Sequence, residues 1–200
     1  MIESVIKALK SRHFIVTYAN TSAEAKAAVL DIIGGDSVGF GGSKTVNDLK
    51  IYDELLSRGN KLYWHWKAPK EEKAAIQLLA RDADCYICSS NAILYDGRLI
   101  NIDGTGNRVA AMCFGPEKVI VVAGINKLCP DYDSAIKRIK RDACPGNARR
   151  LGLSTPCALT NVCGDCKTAA RMCNVTSILE YPTRIHKEFH VVLVNENLGL

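Results

Sequence analysis

Nine cysteines in 200 residues are the first sign of chemistry in this chain. Four of them, Cys157, Cys163, Cys166 and Cys173, follow the spacing C-x5-C-x2-C-x6-C. Soft thiolates packed this closely suit zinc or an iron–sulfur cluster, and a bound metal would order a segment that has no helical or strand period of its own. The spacing is neither the bacterial ferredoxin run nor the paired C-x2-C of a zinc ribbon. Lys167 and Arg171 lie close by to offset thiolate charge, and Pro156 fixes the chain just before the first ligand. The expectation is an iron–sulfur cluster, with zinc as the alternative, on these four residues. Cys85 and Cys88 also form C-x2-C, but inside an apolar strand pattern, where their side chains point to opposite faces and read as core.

A second group of residues has the chemistry of anion binding. Gly41, Gly42, Ser43 and Thr45 follow a short apolar stretch. Glycines there let backbone amides approach an anion, and two hydroxyls stand beside a helix start. The spacing matches neither a Walker loop nor the dinucleotide Gly-x-Gly-x-x-Gly, so a capped strand-to-helix turn is the plainer reading. Asp103, Gly104, Gly106, Asn107 and Arg108 place a carboxylate, an amide and a guanidinium on one connection. Asp103 is the candidate general acid or base and Arg108 the candidate two-pronged clamp on a carboxylate or phosphate. The plainer alternative is that Asp103 and Arg108 pair with each other or cap the next helix. Asn91, Asn126 and Lys127 complete the candidate ligand set, Lys127 as a point charge. The four histidines show no pairing with a nucleophile, and no nucleophile elbow is present.

These residues need a scaffold that brings them together. Residues 2–9 have helical apolar spacing, and 14–18 read as a strand. Thr21 and Glu24 cap a helix to residue 33, ended by Gly34 and Gly35. Strands at 37–40, 61–66, 84–88 and 118–123 alternate with helices at 47–58, 69–82 and 132–143. Asp96-Gly97 signals a hairpin between 92–95 and 98–102. Segment 145–174 reads as an irregular, cysteine-bearing embellishment. Strands at 175–181 and 189–195 close the chain, open to antiparallel pairing at an edge. The alternation implies one α/β domain over residues 1–200: a three-layer, Rossmann-like fold with a mainly parallel sheet and a cysteine-bearing insertion near the C-terminus. In such a sheet ligands bind beyond the carboxyl ends of the strands. The loops after 37–40, 84–88 and 118–123 should therefore share one rim, with the Asp103–Arg108 connection closing over it.

Composition narrows the function classes. Apolar residues make up 48% and charged residues 24%, ordinary values that leave out disordered, collagenous and coiled-coil chains. The longest apolar run, near residues 119–125, is far too short to cross a bilayer, so no membrane insertion is expected. A net charge of +5 suits anionic small molecules, while 6% aromatics without an arginine-rich arm leave nucleic acid out. The odd cysteine number, and an opening stretch without an unbroken apolar core, point to a reducing, cytoplasmic setting.

The stretch SSNAILYDGRLINIDGTGNRVAAMCFGPEKVIVVAGINK, followed by PGNARRL and TPCALTNVCGDCKTAARMC, resembles the LUD (lactate utilisation) domain family. The early GGSKT and the closing VLVNENLGL match as well. The resemblance implies a fold related to glucosamine-phosphate isomerase, ribose-phosphate isomerase and CoA transferase, with the Gly41–Thr45 loop at the ligand rim. It also implies organic-acid metabolism beside iron–sulfur partner proteins that oxidise lactate. The ferredoxin-like cysteine runs of longer, electron-carrying members are missing. Three expectations follow: an oxidoreductase component binding a small anionic metabolite and a 4Fe-4S cluster; a non-redox sugar-phosphate or nucleotide-binding isomerase with a structural metal; or a scaffold subunit of a lactate-oxidising complex.

Overall fold

The structure, a computed structural model, describes residues 1–200. In chain order its strands are β1 (Ile15–Ala19), β2 (Val38–Phe40), β3 (Leu62–Tyr63), β4 (Cys85–Cys88), β5 (Ala92–Leu94), β6 (Leu99–Asp103), β7 (Lys118–Gly124), β8 (Leu128–Cys129), β9 (Val175–Leu179) and β10 (Glu188–Val194). Its helices are α1 (Ile2–Ser11), α2 (Ser22–Ile33), α3 (Lys44–Asp48), α4 (Ile51–Ser57), α5 (Lys73–Arg81), α6 (Asn107–Cys113), α7 (Tyr132–Arg138), α8 (Cys144–Arg150) and α9 (Pro156–Thr160).

Six strands form one sheet in the order β1-β10-β7-β4-β2-β3, and every pairing in it is parallel. Parallel strands covered on both faces carry continuous apolar runs, and from Val119 to Gly124 β7 is buried throughout. One face packs under α2 and α4 through Val29, Ile33, Ile51 and Leu55. The opposite face packs under α1, α5 and α6 through Val5, Leu9, Ala80, Ala111 and Met112. Cys85 belongs to the first cluster and Cys88 to the second, as their spacing on a strand requires.

A smaller sheet, β8-β5-β6-β9, carries the hairpin of β5 and β6. Gly97 turns that hairpin at φ 88°, and its Cα lies so near the backbone of Ala8 that a Cβ there would clash with it. The outer face of this sheet is covered by α7 and the turn after it, through Ala135, Ile139, Ala143 and Cys144.

Thr21 caps α2 by accepting the Glu24 N–H at 3.2 Å, while the Glu24 carboxylate accepts the Asn20 N–H at 2.7 Å. Four details differ from the sequence reading. The helix expected over 47–58 is two, because Lys50 takes a left-handed conformation, φ 51°, between α3 and α4. The strand expected over 61–66 is only β3, and His65 and Trp66 sit in the turn beyond it. The helix expected to end near 143 continues through a π turn, Ile139–Ala143, into α8. Pro145 has no N–H to return and its ring crowds the carbonyl one turn back, where the widened π turn lies. Finally, the last two strands part company. β9 is antiparallel to β6 in the small sheet, whereas β10 is parallel and internal to the large one, between β1 and β7. Its unbroken burial from Phe189 to Val194 suits that central place. No helix is long and apolar enough to cross a membrane.

Candidate functional site

β2 leads to β3 on one side, and the chain then returns to place β4 on the other side of β2. The loops leaving neighbouring strands at such a reversal diverge and open a crevice at the carboxyl ends. A cleft of about 560 Å³ lies there. Its walls come from the loops after β2, β3, β4, β6 and β7, together with α8 and the cysteine-bearing segment.

Gly42, Ser43 and Thr45 line the cleft. Gly41 lies behind them, its N–H extending the ladder to the Ile87 carbonyl at 2.9 Å. A Cβ on Gly42 would stand 3.3–3.4 Å from the rings of Trp66 and His65, so the missing side chain makes room for both. Ser43 caps α3, its hydroxyl accepting the Val46 N–H at 3.2 Å. The short 3₁₀ turn after β7 directs Lys127 inward, where it is 3% exposed. Its Nζ donates to Thr45 Oγ1 at 2.7 Å and to Ser89 Oγ at 2.8 Å, joining three loops at one point. Burial, with Arg138 and Arg108 close by, pushes this amine down to about 7. Asn126 turns the other way and accepts the Leu198 N–H at 3.1 Å, outside the cleft.

The Asp103–Arg108 connection is arranged differently from a ligand clamp. Arg108 is buried, and both terminal nitrogens are fully occupied within the protein. One donates to the Ser89 carbonyl at 2.9 Å and to Asn101 Oδ1. The other donates to Asn91 Oδ1 and the Ile102 carbonyl, both at 2.9 Å. Its Nε faces Asp103 Oδ2 at 3.4 Å. With no N–H left over, the guanidinium ties the β4 loop to β6 instead of presenting a free fork. Asp103 Oδ1 accepts the Gly106 N–H at 3.1 Å, so the carboxylate also closes its own turn. Asn91, Asp103, Gly104 and Asn107 border the cleft, while Gly106 lies outside it.

Several lining residues escaped the sequence reading: His65, Trp66, Lys73, Arg150, Cys144, Met172 and Leu200. Trp66 stacks on Trp64 with ring centroids 5.4 Å apart, and the Arg150 guanidinium sits 4.3 Å from the Trp66 centroid. Burial and the charges of Lys73 and Arg150 lower the His65 pKa. The strand-end rule that selected the other loops applies equally to β3, but a strand read as far as residue 66 hides His65 and Trp66 inside it. Lys73 and Arg150 carry no local signal; only the fold brings them to the rim. The lining holds Lys44, Lys73, Lys127, Arg108, Arg150 and Arg171, against Asp103 as its one carboxylate.

Segment 145–174 walls one side. Asn174 donates its backbone N–H to the Asp103 carbonyl and its side-chain amide to the Gly104 carbonyl, both at 3.0 Å. Cys157 is buried, and Cys163, Cys166 and Cys173 are half-buried. The thiol in contact with Cys173 is Cys144, from α8. The interaction between the two thiols raises Cys144 strongly and lowers Cys173, with Arg171 and Lys140 adding to the second effect. Cys163 and Cys157 stand near enough to act on Cys144 by charge. The Cys166 thiol instead lies 3.9 Å from the Thr168 hydroxyl. No three His, Cys, Asp or Glu side chains converge as metal ligands would. The donor set suits a soft metal, but its geometry is not that of a formed coordination sphere.

The LUD domain profile matches residues 2–194. No curated protein matches the chain. Among solved structures, a DUF162 family protein from Deinococcus radiodurans is similar in fold. It is 12% identical, with a TM-score of 0.55, over 96% of this chain and 95% of that one. The Rossmann-like architecture, the loops gathered at one rim and a profile match over nearly the whole chain agree: the protein belongs to the LUD domain family, as a lactate-utilisation-type member.

Proposed function

We propose that the cleft binds a small anionic metabolite, a carboxylate or a phosphate ester, in organic-acid metabolism. The observation that carries this reading is the charge of the lining, where one carboxylate side chain, Asp103, faces six basic ones. Asp103 already serves Arg108 and the Gly106 N–H, Lys44 is paired with Asp48 and Arg171 with Asp165, which leaves Lys73 and Arg150 to meet a ligand's charge. Trp66, held between Trp64 and Arg150, offers an apolar wall for the body of the ligand. Calorimetric titration with lactate, pyruvate and a panel of sugar phosphates tests this. Lys73→Ala combined with Arg150→Ala should weaken the bound anion at least about tenfold, since each charge-assisted contact is worth about 1.5–3 kcal/mol. Equal affinity in parent and double variant would remove the cleft from consideration.

A second reading concerns metal on the cysteine segment, and the supporting observation is the crowding of Cys144, Cys157, Cys163 and Cys173. Bound iron–sulfur or zinc would supply redox chemistry or structural closure respectively, after the segment draws its thiols together. Metal analysis and an anaerobic visible spectrum decide it. Serine at Cys163 should release the metal, and Cys88→Ser, in the sheet core, should not.

A further inference from the structure

Lys127 is the residue whose surroundings the binding of an anion does not explain. A lysine that serves as a fixed positive charge is ordinarily exposed or paired with a carboxylate, because an isolated buried ammonium is costly. Lys127 is buried, and its Nζ meets only two hydroxyl oxygens, Thr45 Oγ1 and Ser89 Oγ. Each hydroxyl also has a carbonyl within reach of its own hydrogen, Thr45 the Leu198 carbonyl at 3.5 Å and Ser89 the Ser90 carbonyl at 3.3 Å. Both can therefore accept from the amine. A neutral –NH₂ that donates its two hydrogens in this way has one tetrahedral position left, and it holds the lone pair.

The charged and titratable groups around it favour that neutral form. Arg108 from α6 and Arg138 from α7 repel an ammonium. Cys88, from β4, is pushed up to about 12 by its burial and stays a neutral thiol. Asp48 of α3, the acid that acts on it through space, is paired with Lys44 at 2.6 Å. Desolvation next to other cations is one of the recognised ways of turning a lysine into a nucleophile.

We propose that Lys127 is a nucleophilic amine, whose Nζ attacks the carbonyl carbon of a small aldehyde or ketone bearing a carboxylate or phosphate and forms an imine. The N–C bond forms as the C–O bond breaks. The carbonyl oxygen leaves as water with the two amine hydrogens, and no oxidant or reductant is needed. Thr45 and Ser89, already bonded to the nitrogen, are placed to accept and return those protons. The proposal rests on the anion-binding reading, since the cationic lining is what would hold the substrate's acidic group beside the amine.

Reductive trapping tests it. The protein is treated at pH 7 with a limiting amount of glyoxylate, or of glycolaldehyde phosphate, and cyanoborohydride, and the adduct is mapped by peptide mass. An amine near 7 is on the order of 10³-fold richer in its free form at pH 7 than an ordinary lysine. Even after the lower intrinsic reactivity of a weaker base, Lys127 should be modified at least about tenfold ahead of any exposed lysine. Preference for one probe tells a carboxylate from a phosphate substrate. Lys127→Met should fold, keep its melting temperature or raise it, and lose the fast adduct. Modification of Lys127 no faster than of surface lysines overturns the proposal. Quenching of Trp66 fluorescence by inorganic phosphate, measured alongside, separates the two levels: quenching without the adduct overturns imine chemistry alone, and neither signal overturns the anion reading as well.

Discussion

The guanidinium of Arg108 meets the carbonyls of Ser89 and Ile102 and the side-chain oxygens of Asn91 and Asn101, so its removal takes a charged donor from four acceptors at once, although Asn91 Oδ1 keeps the Ile102 N–H and Asn101 Oδ1 the Asn91 N–H. Arg108→Lys keeps the charge but not the fork, and should cost about 3–5 kcal/mol of stability, read as a lowered denaturation midpoint. Phosphate affinity in the folded fraction should change little, because the fork faces inward. A tenfold loss of affinity at unchanged stability would return Arg108 to the ligand. Lys127 leads to a prediction with pH. Its amine is about 7 when folded against an ordinary value of 10.5, so between these limits the unfolded chain binds the extra proton. Stability from this residue therefore rises as pH rises from 7 to 10.5, and its penalty is full below 7. Lys127→Met should stabilise the protein most at or below pH 7 and hardly at all near pH 10.5. Chemical denaturation at a series of pH values measures the difference. The sequence names both residues as ligand candidates but carries no sign of which way each side chain turns. For Arg108 the deciding partners are main-chain carbonyls, which have no residue signature.

Elements account for what the sequence does reveal. Thr21 with Glu24, Gly34 after the helix and Asp96-Gly97 in the hairpin all act through neighbours a few residues away, and all appear where expected. The loops after β2, β4 and β7 are legible as one rim, since parallel strands end on the same side. What is not legible depends on distant partners. The apolar run Val191–Val194 marks β10 as a covered strand but does not say which strands flank it, and nothing local marks the crossing of Pro145 by a continuous helix. The approach of the tail after β10 to α3 belongs to the same kind. Gly199 has φ 66°, and a Cβ on it would lie 2.3 Å from Thr45 Oγ1. Gly199→Ala should lower stability by about 1 kcal/mol or more through backbone strain alone. It should also displace the Thr45 hydroxyl from Lys127, slowing trapping of the amine. A variant with unchanged melting temperature and unchanged trapping would mean that the tail yields without disturbing the floor of the cleft.

At the scale of the molecule, a modest excess of +5 is focused into one crevice. Ion pairs elsewhere, such as Lys187–Glu117 and Arg141–Asp142, are exposed and contribute little to stability. Salt should accordingly separate binding from folding. Raising ionic strength from roughly 20 mM to roughly 500 mM should weaken phosphate binding by about tenfold, while the melting temperature stays nearly constant. Binding insensitive to chloride would mean that apolar contact with Trp66, not charge, dominates.

The central position of β10 also bears on how the chain comes together in time. β1 hydrogen-bonds to no strand but β10, so Ile15 waits for His190. A chain emerging from the ribosome can pack α1 on β1 and build the β5–β6 hairpin early, yet β1 stays unzipped until β10 has been made. Closing so long a loop is entropically unfavourable before any contact rewards it, which makes slow folding the expectation. The exposed edge of β7 in the meantime is a run of valine and isoleucine, the part of the nascent chain most in need of shelter.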